Sequence, residues 1–122
     1  MRDRTGEIVL RAGAVGAVEM PSELGRRVLA RLAHPGPVVV AVDERAQEWW
    51  TMLTAPVHHN LCDCATFAML AATRARLVPY GHEIRLPAPR DTTRRWLDGN
   101  PADAYRPAPE DVVEAIRVCR LW

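Results

Sequence analysis

The chain has 122 residues, of which 48% are hydrophobic and 25% charged, and its net charge is +1 with His neutral. That length supplies one hydrophobic core and one domain, 1–122. The composition excludes a disordered chain. The near-zero charge excludes a global field that would draw the whole molecule onto nucleic acid or an anionic membrane, so any anion site is local. All sixteen basic residues are Arg, a composition expected of GC-rich coding. The opening Met1–Glu7 is charged, and no window approaches the roughly 18 apolar residues of a membrane span. With three cysteines, Cys62, Cys64 and Cys119, in no framework spacing, the expectation is reduced thiols and a cytoplasmic protein.

Glu7–Leu10 and Ala17–Met20 are short apolar runs separated by a glycine-containing segment of the kind a hairpin needs, and they predict two opening strands. Between Pro21 and Ala33, Leu24, Val28, Leu29 and Leu32 share a helical stripe, with Ser22 as the expected cap and His34-Pro35-Gly36 as the stop. Pro37–Val42 reads as a central strand buried on both faces, and a further strand is expected over Glu48–Thr54. Leu61–Ala75, apolar almost all round with Phe67, Met69 and Leu70 at its centre, predicts a buried helix. His82–Leu86 and Arg95–Leu97 are strand candidates inside a Pro-rich second half. Pro109 at a first helical position, Glu110 and Asp111 behind it, and Arg117 and Arg120 near the end predict a closing helix. These elements make an α/β (α+β) domain with a single mixed β-sheet of about four to six strands, covered by two or three helices.

The densest group of reactive side chains is His58-His59-Asn60-Leu61-Cys62-Asp63-Cys64. Imidazole and thiolate are donors that transition metals prefer, so His58, His59, Cys62 and Cys64 are candidate metal ligands. An imidazole can also generate a thiolate, which makes the same four residues candidate catalytic groups. The spacing fits neither role well: Cys-x-Cys is tighter than zinc fingers use, and on one helix the two thiols would point about 200° apart. No cofactor is the leading expectation, with a transition metal as the alternative. Asp43 and Glu44 follow the Val38–Val42 strand and read as a polar turn. Arg85, Arg90, Arg94 and Arg95, with Trp96, form a basic stretch able to hold phosphate or stack on a base, with Asp91, Asp98 and Asp103 near enough to neutralise it. Trp49 and Trp50 are adjacent, so on a strand one faces the core and the other is an interface candidate. Gly-rich phosphate loops, a Gly-x-Ser-x-Gly elbow and a His-Glu-x-x-His helix are all absent from the sequence.

Gly36-Pro-Val-Val-Val-Ala-Val-Asp43 after an amphipathic helix, and then Gly81–Leu97 with Pro87, Pro89 and Trp96, resemble the later half of the N-terminal domain of bifunctional DNA primase/polymerase proteins, in particular the small, divergent members found in actinobacteria. The resemblance covers about half the chain and implies a strand running into a Pro-rich turn and a Trp-containing strand. An active member is expected to carry two acidic residues with one between them, for two metal ions, and a His beyond the turn. Here Asp43-Glu44-Arg45 is no such pair, and Asp91 stands roughly where that His would fall. The implied protein is a trimmed, non-catalytic relative. The leading functional expectation is therefore a binding or regulatory module that meets a protein partner or a second copy of itself. A His/Cys enzyme and a nucleic-acid binder using the Arg/Trp loop are the alternatives, and no membrane role is expected.

Overall fold

The computed structural model describes residues 8–99, 101 and 103–120. Seven strands and three α-helices follow the order β1 Ile8–Arg11, β2 Gly16–Pro21, α1 Ser22–Arg31, β3 Val38–Val42, β4 Glu48–Thr54, α2 Cys64–Ala72, β5 Arg76–Leu77, β6 Glu83–Leu86, β7 Arg94–Trp96 and α3 Pro109–Arg120. The α+β class and the helix number agree with expectation. Five strands form a sheet in the order β5-β2-β4-β3-β7, and β1 with β6 makes a separate two-stranded ladder. Every one of these pairings is antiparallel.

Alternation along the strands divides the core in two. Val18, Met20, Val38, Val40, Trp50 and Met52 face the helices and pack with Leu24 and Val28 of α1 and Val112, Val113 and Ile116 of α3. Ala17 and Leu53 point the other way, into a smaller cluster with Ala12, Val78 and Ile84 that the β1–β6 ladder covers. The sheet is thus sandwiched, with helices on one face and the short ladder on part of the other.

Local differences from the sequence reading have identifiable causes. The opening strands do not pair with each other: β1 takes β6 and β2 takes β4 and β5, because β1 belongs to the outer ladder. Glu7 lies outside the described residues. Ser22 is the first helical residue rather than the cap; Pro21 holds the N-cap position, with no side-chain hydrogen bond. β3 is closely buried over Val38–Val40, but Val42 is 45% exposed where the strand leaves the helix layer. The register places Met20 and Val40 on either side of Trp50. Gly25 of α1 sits over that indole, where a Cβ would fall 2.5 Å from Trp50 Cε3. Arg27 Nη2 donates to the Cys119 carbonyl at 2.6 Å and ties α1 to the last turn of α3.

Candidate binding cleft beside the second helix

β4 delivers the chain to His58, whose extended backbone leads into a 3-10 turn over His59–Leu61. The Leu61 N–H donates to the His58 carbonyl and the Cys62 N–H to that of His59, both at 3.0 Å. Asp63 then caps α2 by accepting the Thr66 N–H at 2.7 Å. This hydrogen bond, at the positive end of the helix, holds the Asp63 carboxyl below its ordinary pKa. α2 therefore begins at Cys64, three residues after the Leu61 start expected from the sequence, because Asp63 caps it.

α2 turns Thr66, Met69 and Leu70 inward at helical spacing. Its other side, Ala65, Phe67, Ala68, Ala71 and Ala72, faces solvent, and Phe67 is 46% exposed. The expectation of a buried helix is corrected here: one layer of neighbours, α3 and β5, covers one side of a helix that is apolar on both. Phe67 lines a cleft of about 480 Å³. Its lining comes from Ala12 and Gly13 of the β1–β2 connection, Gly16 at the start of β2, Val57, His58, His59 and Cys62 ahead of α2, and Leu77–Tyr80. Tyr80 is 89% exposed. Its ring edge lies 3.3 Å from the point a Gly13 Cβ would occupy, so glycine there gives the ring its seat.

The structure brings three of the four candidate reactive residues, His58, His59 and Cys62, to this cleft. Cys64, the first residue of α2, does not line it, and Cys119 is buried in the core. Among the described residues no three His, Cys, Asp or Glu side chains converge as metal ligands would. The Cys62 thiol meets the His58 carbonyl oxygen at 4.0 Å, a backbone contact rather than an imidazole one. The lining is mostly aliphatic and aromatic with a few polar tips, a chemistry suited to holding an apolar group.

The other candidates are resolved by their neighbours. Trp50 is in the core, and Trp49 lies on the opposite face, its indole N–H donating to Asp43 Oδ2 at 3.0 Å and Arg74 stacked 5.3 Å from its ring centroid. Asp43 Oδ1 accepts the N–H groups of Arg45 and Gln47, each at 2.9 Å, and builds the turn between β3 and β4. The Trp49 and Gln47 bonds hold the Asp43 carboxyl below its ordinary value. Arg94, Arg95 and Trp96 line a second cleft of about 580 Å³, which Arg85 and Arg90 do not reach. There Asp91 accepts the Thr93 and Arg94 N–H groups and the Thr93 hydroxyl. Burial works to raise the Asp91 pKa, but these bonds outweigh it and the net direction is downward. Sequence reasoning missed the exposure of Phe67 and Tyr80; the available signal was an α2 with no charged residue to mark a solvent side. Among the described residues no helix is long and apolar enough to cross a membrane. Comparison with known proteins finds no match to the chain among family models, curated proteins or solved structures.

Proposed function

We propose that this domain is a non-catalytic binding module that meets a second copy of itself through the cleft beside α2. The observation that carries this reading is the pairing of Phe67 and Tyr80, 46% and 89% exposed, at the edge of an apolar cleft. Exposed aromatics of this kind are enriched at protein interfaces, and truncating them removes much of the binding energy. A net charge of +1 leaves self-association unopposed by long-range repulsion. A two-fold arrangement would let each copy's Tyr80 enter the other's cleft.

The reading is compatible with a trimmed relative of the primase/polymerase domain. Both oxygens of Asp43 and the Oδ1 of Asp91, the carboxylates nearest the family's catalytic positions, are engaged in local hydrogen bonds. Sedimentation equilibrium across a wide concentration range tests the proposal. A dimer is expected for the native chain and a monomer for Phe67→Arg and Tyr80→Arg. A chain that stays monomeric at every concentration, or a dimer untouched by both substitutions, refutes it.

A further inference from the structure

The edge of the sheet formed by β7 carries a separate surface. The Leu97 N–H donates to the Val38 carbonyl at 2.9 Å and the Val42 N–H to the Thr93 carbonyl at 3.0 Å. Antiparallel alternation then turns the backbone of 93, 95 and 97 toward β3 and that of Arg94 and Trp96 away from it. Asp91 Oδ1 covers the Arg94 N–H at 3.1 Å. The Trp96 N–H and carbonyl and the Arg94 carbonyl have no backbone partner among the described residues. The cleft of about 580 Å³ lies beside this strand, with Pro87, Pro89 and Pro101 in its walls. Proline has no N–H to offer an open edge, so these walls flank the strand without pairing with it.

Charge selects what can pair there. Arg95 is 59% exposed, and its ion pair with Glu48 is at the limit of contact, 3.9 Å, while Arg26 holds the same carboxylate at 3.2 Å. Arg94 is likewise 3.9 Å from Asp91 Oδ2, beyond hydrogen-bond distance, while the three hydrogen bonds of that carboxylate all fall on Oδ1. Both guanidiniums thus retain donors for a further carboxylate. A second β7 centred on the same edge would set Arg95 directly against Arg95, a destabilising like-charge pair.

We infer that β7 accepts an extended acidic peptide segment as an added antiparallel strand. The register specifies it. The residue opposite Trp96 exchanges both backbone hydrogen bonds and presents an apolar side chain to the indole; the next two, opposite Arg95 and Arg94, are acidic. Main-chain pairing supplies affinity and the side chains supply choice.

The probe is a labelled, end-capped peptide Thr-Val-Glu-Glu-Thr titrated into the full chain and read by fluorescence polarisation. Saturable binding is expected, about tenfold or more weaker when both Glu are replaced by Lys, because two favourable cross-strand pairs become two repulsive ones. N-methylation of the Val removes the bond to the Trp96 carbonyl and should abolish binding while leaving every charge in place. Arg95→Gln should weaken the Glu peptide and strengthen the Lys peptide, because it removes one favourable pair from the first and one like-charge pair from the second, so the gap between the two narrows. Equal binding of the Glu and Lys peptides, tolerance of the N-methyl group, or no binding of the Glu peptide overturns the inference. So does single-stranded oligonucleotide binding that the peptide does not displace. Phe67→Arg lies outside this cleft, so its effect on dimerisation is read independently.

Discussion

Gly25→Ala sets two effects against each other. Glycine inside a helix costs about 1 kcal/mol relative to alanine, so propensity alone says that the substitution stabilises α1. The new methyl would stand 2.5 Å from Trp50 Cε3 and 2.7 Å from Cδ2. These are ring atoms of a side chain 3% exposed, flanked across the sheet by Met20 and Val40. The indole cannot swing aside as the end of a flexible chain could. Overpacking of a fixed core typically costs about 1–3 kcal/mol, and with no easy relief the upper half of that range applies. The expected net result is a loss of about 1–2 kcal/mol. With an unfolding entropy of about 2.1 cal/mol/K per residue over 122 residues, that is a fall in Tm of about 4–8 °C. Thermal unfolding followed by circular dichroism measures it. Trp50→Leu should make Gly25→Ala markedly less costly, since the double mutant removes the atoms in conflict. A Tm that rises with Gly25→Ala in the native background refutes the packing argument and leaves propensity as the controlling effect.

Further outcomes follow from other parts of the molecule. Leu53→Ala, at 1% exposure between the sheet and the outer ladder, should cost about 2–5 kcal/mol in denaturant unfolding; Phe67→Ala should cost the monomer about 1 kcal/mol or less because the ring is there half in water already. In the folded monomer, at concentrations too low for self-association, Cys62 and Cys64 should react with a maleimide while Cys119 is protected until unfolding, and a count of three fast thiols would contradict the packing of α3. Asp43, Asp63 and Asp91 all have folded pKa values below their unfolded ones. Their contribution to stability is therefore full above the unfolded value, about 3.9, and is lost as pH falls through the lower folded values. Tm measured against pH should be flat from neutrality to about pH 5 on their account and drop below about pH 4, with a smaller drop in Asp43→Asn.

Much of the fold could be read along the chain because local pattern and burial coincide. β4 over Glu48–Thr54 and α3 beginning at Pro109 fall where their residues predict, and a turn follows β3 where the polar pair Asp43 and Glu44 predicts one. What periodicity cannot carry is partnership over distance. The pairing of β1 with β6 joins segments more than seventy residues apart, and nothing in Ile8–Arg11 names Glu83–Leu86. β5 is two residues long, too short to leave a period. The candidate cleft was half legible: the sequence neighbours His58, His59 and Cys62 share it, while Tyr80 and Gly13 arrive from other elements. Phe67 misled because an apolar residue on an apolar helix signals burial, and only the number of layers around that helix decides the matter.

The turn at Asp43 bears on how the chain folds in time. Of the five pairings in the described residues, β3 with β4 is the one that joins consecutive strands, and its connection is held by hydrogen bonds from Arg45, Gln47 and Trp49 to a single carboxylate. A short closed loop forms with little entropic cost, whereas the other pairings must first bring distant segments together. Residues 38–54 are therefore expected to pair early: Val40→Ala should slow folding by most of its equilibrium effect, and Ile84→Ala should mainly speed unfolding.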